Sequence, residues 1–212
     1  MGVIDLDKAK KFFKQLYKDV DGRALSLKER DDKQLSSKSF VYGEVVPESF
    51  YDVIKEANPQ PGSIFYDLGS GTGKAVILAH LLFDFPKVVG VELLEGLYNA
   101  SVQMQKQYEE EFRPKVEERM HGKIIELRLG SILDTDISDA DFIFMNSTCF
   151  QDDLMEEIEK KLEDLRPNAT VITLSKAIRS PAFYQEKHKL FEFSWGQATA
   201  FYHRKLLWKV YM

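Results

Sequence analysis

The run Asp67-Leu68-Gly69-Ser70-Gly71-Thr72-Gly73 constrains this chain more than any other stretch. It sits between an apolar run, Ser63-Ile64-Phe65-Tyr66, and a helical pattern from Lys74 to Phe83. Glycines there allow a tight strand-to-helix turn and let the backbone approach a ligand closely. The helix beyond them offers N–H groups with no intrahelical partner. Such a turn lies at the carboxyl end of a strand, where open α/β sheets bind their ligands. Two familiar loops are excluded. A P-loop needs Ser or Thr after G-K, and here Ala75 follows Gly73-Lys74, with Leu68 where its first glycine belongs. The dinucleotide fingerprint G-x-G-x-x-G/A fails because the sixth residue from Gly69 is Lys74. What remains is an acidic residue leading a G-x-G-x-G loop. An acid there repels a pyrophosphate and suits a ligand with a cationic end.

The next strand signal, Val89-Gly90-Val91-Glu92, ends in a second acid. A carboxylate at that point can accept both hydroxyls of a ribose. Beyond Lys87–Glu92 the pattern alternates. Leu94 to about Met120 reads as a long helix interrupted near Pro114, Lys123 to Leu129 as a third strand, and Asp141 to Asn146 as a fourth. Asp152 to Leu165 reads as a helix and Thr170 to Leu174 as a fifth strand. Two strands, about 189–195 and 200–210, close the chain. Gly196-Gln197-Ala198-Thr199 between them is too short for a parallel crossover, so they pair antiparallel. The pattern predicts an α/β, Rossmann-like fold: a seven-stranded, mostly parallel sheet with one antiparallel strand and helices on both faces. Residues 1–40 form a small N-terminal helical extension. Phe12, Phe13, Leu16, Tyr17 and Val20 place an amphipathic helix over 5–20, and 21–39 read as polar and irregular. Residues 48–57 form a helix that leads into the core.

Composition excludes several classes. With 44% apolar and 30% charged residues the chain is a folded globular protein. No apolar run approaches the ~20 residues of a membrane span, and the first residues do not resemble a signal peptide. The single cysteine, Cys149, excludes an internal disulfide and a cysteine-cluster metal site. His80, His121, His188 and His203 lack metal-ligand spacing, so no metal is expected. A monomeric intracellular protein, cytoplasmic or nuclear, is expected. The net charge of −5 argues against gripping nucleic acid through its phosphates. Lys8, Lys10, Lys11, Lys14 and Lys18 read as a solvated helix face.

With an acid ahead of G-x-G-x-G, the chain resembles the class I methyltransferases. A narrower resemblance rests on an ordered set of motifs: Val41-Tyr42-Gly43-Glu44, then the glycine loop, then Asn146-Ser147-Thr148-Cys149-Phe150, then Ser194-Trp195 and Phe201-Tyr202. In this order they are similar to the motifs of the disruptor-of-telomeric-silencing family. Its members are protein lysine methyltransferases that lack a SET domain and modify a nucleosomal core histone. The resemblance implies that residues 41–212 are a catalytic domain, that S-adenosylmethionine is the cofactor, and that a lysine-bearing protein, a histone or another, is the acceptor. It assigns Tyr42, Glu44, Asp67, Gly69, Ser70, Gly71, Gly73, Lys74, Glu92, Leu93, Ser131, Ile132 and Asn146 to the cofactor. Glu44 would reach the methionine end and Glu92 the ribose. Asn146 would also sit beside the methyl group and the incoming amine, and Phe150, Trp195 and Tyr202 would wall a channel for the lysine. Three positions depart from the family. Ser131 stands where an acid usually binds the adenine amine. N-S-T-C-F replaces N-N-F-A-F and loses one aromatic wall. Lys74 stands where an uncharged polar residue is expected.

Methyl transfer from a sulfonium is an in-line displacement, so orientation supplies much of the rate. A lysine amine, with pKa about 10.4 in water, must be neutral to attack. A dry aromatic channel and the nearby sulfonium both favour the neutral form, so no dedicated general base is expected. The residues themselves leave open a small-molecule or nucleic-acid methyltransferase and a non-catalytic cofactor-binding domain. An N-P-P-Y type motif, which marks methylation of base amines, does not follow the fourth strand.

Overall fold

The computed structural model describes residues 4–34, 43–116, 121–193 and 195–207. One sheet contains β1 (Ile64–Leu68), β2 (Lys87–Glu92), β3 (Ile124–Leu129), β4 (Phe142–Met145), β5 (Thr170–Leu174), β6 (Phe183–Phe193) and β7 (Gly196–Lys205). Their order is β3-β2-β1-β4-β5-β7-β6. Strands β1 to β5 pair in parallel, and β7 runs antiparallel to both β5 and β6. This is the mostly parallel sheet with one reversed strand that the alternating pattern predicts. The strand order reverses between β1 and β4, and the crevice at their carboxyl ends is the topological switch point where such sheets bind ligands.

Around the sheet lie α1 (Leu6–Leu16), α2 (Gly22–Asp32), α3 (Pro47–Glu56), α4 (Lys74–Leu82), α5 (Glu95–Gln107) and α6 (Asp152–Leu162). Alternation along β1 feeds two cores. Phe65 packs with Phe50 of α3, Leu78 of α4 and Leu16 of α1, whereas Tyr66 and Leu68 pack with Ile158 and Leu162 of α6. Helices therefore cover both faces, which is why the central strands are apolar on both sides. Every residue of α4 is buried, so this helix shows no polar stripe. Among the described residues no helix is long and apolar enough to cross a membrane.

Four boundaries differ from the pattern-based expectation. Residues 22–32, expected to be irregular, form α2, capped by Asp21 accepting from the Ala24 N–H at 2.9 Å (35–39 lie outside the described residues). The face that α2 buries is Gly22, Ser26 and Glu29, helically spaced but polar, so no apolar periodicity betrays it. The long helix stops at Gln107, continues as a π-turn over Tyr108–Phe112 and ends in a 3-10 turn around Pro114; 117–120 lie outside the described residues. β6 starts at Phe183, well before the expected 189, because its residues 184–190 are exposed and mostly polar, as befits an edge strand. Residues 196–199, read as a connection, are the start of β7, with Trp195 in the turn just before it.

The N-terminal helices are built onto the core. Ala9, Leu16 and Tyr17 belong to the same buried cluster as Phe50 and Phe65. The Tyr17 hydroxyl donates to the Thr72 carbonyl, bracing the glycine loop at 3.2 Å. Glu29 of α2 accepts from the N–H groups of Glu95 and Gly96 at 3.0 and 2.7 Å, capping α5, whose own N-cap residue, Leu94, offers no side-chain acceptor.

Candidate active site

The loop after β1 turns through three left-handed glycines, Gly69, Gly71 and Gly73, with φ of +87°, +55° and +79°. A side chain at these angles is strained. At Gly73 a Cβ would also stand 3.1 Å from the Ser101 Cβ of α5, so glycine serves both the turn and the close packing. The N–H groups of Gly69 and Ser70 donate to the Val91 carbonyl, each at 2.9 Å, which ties the loop to the end of β2. One residue further on, the buried Glu92 carboxylate accepts from the Gly71 N–H at 2.7 Å and the Leu94 N–H at 2.8 Å. Glu92 therefore holds the glycine loop and the start of α5 together.

Over this floor opens a cavity of about 390 Å³, within the ~300–1,000 Å³ usual for small-molecule sites. Of the residues the sequence nominates, Gly69, Glu92, Leu93, Ser131, Ile132, Asn146, Phe150 and Trp195 line it. They come from the carboxyl ends of β1, β2, β3 and β4 and from the β6–β7 turn. Sequence reasoning missed Arg23 of α2, Gly43, Val91, Leu94, Leu97, Thr148, Cys149 and Leu154, which line it too. Leu94 and Leu97 were legible as the residues following Glu92; Arg23 was not, because α2 itself was not. None of the four histidines contributes to the lining.

Glu44, Asp67, Ser70, Gly71, Gly73 and Lys74 lie around the cavity without lining it. Asp67 and Ser70 are buried beneath the loop, 3% and 7% exposed. Burial, with the Glu92 carboxylate nearby as a second cause, pushes the Asp67 carboxyl up to about 8. Burial also raises Glu92, against the lowering effect of its backbone donors. Lys74, at the start of α4, is buried and pairs with Glu44 at 2.5 Å. Its ammonium stands over the rings of Tyr17 and Phe13, at 5.2 and 5.9 Å. The uncommon lysine is thus accommodated by a carboxylate and two aromatic faces of α1 and the residue after it. Tyr42 lies outside the described residues, as does Ser194.

Tyr202 is a correction. It was expected to wall the acceptor channel, but it is wholly buried in the core and its hydroxyl donates to the Val53 carbonyl of α3 at 3.1 Å. Strand alternation turns it away from the cavity toward α3. The aromatic side chains that do line the cavity are Phe150 and Trp195, the latter stacked on Phe193 at 4.7 Å with the rings 10° apart. Tyr202→Ala should therefore lose about 3–5 kcal/mol of stability, and Tyr202→Phe about 1 kcal/mol, both read by urea unfolding. A Tyr202→Ala protein with undiminished stability would contradict the core placement.

Comparison with known proteins agrees with this fold. The family described as histone methylation protein DOT1 matches residues 23–195, from α2 to the β6–β7 turn. Proteins named histone-lysine N-methyltransferase, H3 lysine-79 specific, are similar in sequence. The one from Eremothecium gossypii is 32% identical over 150 residues, 66% of this chain and 25% of that protein. The one from Kluyveromyces lactis is 29% identical over 157 residues, 71% of this chain and 27% of that protein. The chain thus spans about a quarter of the length of these curated relatives. Among solved structures, TrmN from Thermus thermophilus superposes with a TM-score of 0.62 at 17% identity, over 80% of this chain and 52% of that one. An RNA methyltransferase from Salinibacter ruber, in complex with S-adenosyl-L-homocysteine, gives 0.57 at 17% identity, over 77% and 94%. These distant structures share the fold. The family match runs through most of the sheet and most of the cavity lining, and this chain belongs to the DOT1 histone methylation protein family.

Proposed function

We propose that this chain is an S-adenosylmethionine-dependent protein lysine methyltransferase whose acceptor is a core histone on the nucleosome, in the nucleus. One observation carries the reading: the acid pair Asp67 and Glu92 under a G-x-G-x-G loop, at the switch point of the sheet, beside a cavity that also presents Asn146 and an aromatic rim. The residues fit the cofactor. Glu44 Oε1 and Ser70 Oγ are buried without a protein partner, which leaves an anionic acceptor and a hydroxyl for a zwitterionic, cationic ligand. When bound, S-adenosylmethionine supplies a methyl group on a sulfonium. Glu92 would take the ribose hydroxyls, Leu93, Ile132 and Ser131 would hold the adenine, and Glu44, paired with Lys74, would receive the methionine ammonium. Asn146 orients the incoming amine, while Phe150 and Trp195 exclude water and so favour the neutral amine. The relatives' printed names support histone H3 as the acceptor.

The test is transfer of a tritiated methyl group from S-adenosylmethionine to purified nucleosomes, read by gel and autoradiography. Label in the histone H3 band is the expected result. Tight S-adenosylhomocysteine binding with no labelled histone would overturn the acceptor and leave the cofactor standing. Absence of S-adenosylhomocysteine binding would overturn both.

A further inference from the structure

We infer that Ser175 and Thr148 form a directed hydroxyl relay that fixes the orientation of the Asn146 carboxamide, making Thr148 a positioning residue for the acceptor amine. The inference rests on the role given to Asn146 above. Asn146 follows β4 directly and starts the 3-10 turn Ser147–Cys149. Thr148 Oγ1 lies 3.0 Å from Asn146 Oδ1 and 3.0 Å from Ser175 Oγ. A carboxamide oxygen can only accept, so the single Thr148 proton goes to Asn146. Ser175 must then donate to Thr148. On the other side of the amide, Asn146 Nδ2 donates to the Gly43 carbonyl at 3.3 Å. The amide is thus held in one sense, oxygen toward Thr148 and nitrogen toward Gly43. A flipped amide would set two acceptors, Oδ1 and the Gly43 carbonyl, against each other.

The backbone is arranged to support this chain of bonds. Buried Ser147 donates through its hydroxyl to the Leu174 carbonyl at 2.8 Å, stitching the turn after β4 to the end of β5. The next residue, Ser175, sits in the left-handed region at φ +66°, unfavourable for a residue with a Cβ. Its N–H donates to the Thr199 carbonyl at 2.8 Å, so β7 holds the strained residue in place. Strain retained beside a cavity points to a use for the group it presents. Thr148 itself lines the cavity. It stands at the third position of N-S-T-C-F, where the family motif N-N-F-A-F carries a phenylalanine, so the relay belongs to this chain.

The chemistry follows from what an attacking amine needs. Its lone pair must lie on the axis of the departing sulfur, which requires that its N–H hydrogens be held elsewhere. Asn146 Oδ1, with one lone pair engaged by Thr148, has a second for such an N–H. Loss of the Thr148 hydroxyl leaves the amide held by its bond to the Gly43 carbonyl alone, and each turn it then makes sets its NH₂ group on the amine, donor against donor.

Thr148→Val keeps the shape and removes the hydroxyl, whereas Thr148→Ser keeps the hydroxyl. With saturating cofactor, Thr148→Val should lower kcat on nucleosomes about 10- to 100-fold. Its S-adenosylhomocysteine Kd, by calorimetry, and its melting temperature should stay near wild type, and Thr148→Ser should recover most of the rate. Unchanged kcat in Thr148→Val, or a loss explained by weaker S-adenosylhomocysteine binding or by unfolding, would overturn the relay. A wild-type protein inactive on nucleosomes counts against the acceptor and not the relay. The relay is then read from the Asn146 side-chain amide resonance, assigned by its loss in Asn146→Ala: in Thr148→Val its solvent exchange should rise at least about fivefold, and unchanged exchange overturns the inference.

Discussion

Glu92→Ala is expected to weaken S-adenosylmethionine binding by about a hundredfold or more and to lower stability by about 2–4 kcal/mol, because one buried carboxylate holds two structures at once. Its oxygens accept from the Gly71 and Leu94 N–H groups at 2.7 and 2.8 Å. Truncation leaves both donors without a partner in a site where the side chain was 7% exposed. Each unsatisfied buried donor costs ~1–3 kcal/mol. The glycine loop and the start of α5 are then no longer coupled, so the cavity floor loosens and the ribose hydroxyls lose their acceptor. Glu92→Gln separates the two causes. Glutamine keeps the volume but can accept at only one end, so one of the two backbone donors faces an NH₂ group. The amide should fall between wild type and alanine in both urea unfolding and S-adenosylhomocysteine calorimetry. Binding within about threefold of wild type in Glu92→Ala would remove this residue from the site.

The site's floor was legible in the sequence because it depends on local backbone chemistry. Glycines at positive φ and acids at strand ends leave a fixed spacing that survives without knowledge of the fold. The strands on either side were legible because burial on both faces makes them continuous apolar runs. What was hidden depends on tertiary contact. Helix α2 buries Gly22, Ser26 and Glu29, and Glu29 acts by capping α5, distant in sequence. Arg23 reaches the cavity only because that helix docks there. Tyr202 and Trp195 belong to one hairpin and were equal as motif residues. Strand alternation in β7 buries the first under α3, whereas the second lies in the turn before β7, 38% exposed, at the cavity rim. No pattern within the motif separates these outcomes; the registry of β7 against β5 does.

The second large effect is on pH. Asp67 ordinarily titrates at 3.8, and burial together with the Glu92 charge pushes it up to about 8 in the folded protein. From about pH 4 to pH 8 the folded chain therefore keeps a proton that the unfolded chain has released. Stability contributed by this group is full below the unfolded value and is lost as pH rises through the folded one. Glu92, also raised by burial, acts with the same sign. The cofactor reverses the consequence. A ligand bearing sulfonium and ammonium charges prefers the ionised acid, so binding must expel the proton. Below pH 8 the S-adenosylmethionine affinity should rise with pH, by up to about tenfold per unit for one linked proton, and level off above it. Calorimetry at pH 6.5, 7.5 and 8.5, in buffers of different ionisation enthalpy, reads both the affinity and the released proton. Asp67→Asn preserves the shape and should abolish the pH slope and the proton release, while binding weakly at every pH. A wild-type affinity that is flat across this range, with no proton released, would mean that Asp67 keeps one protonation state in the free and the bound protein, and would overturn the linkage.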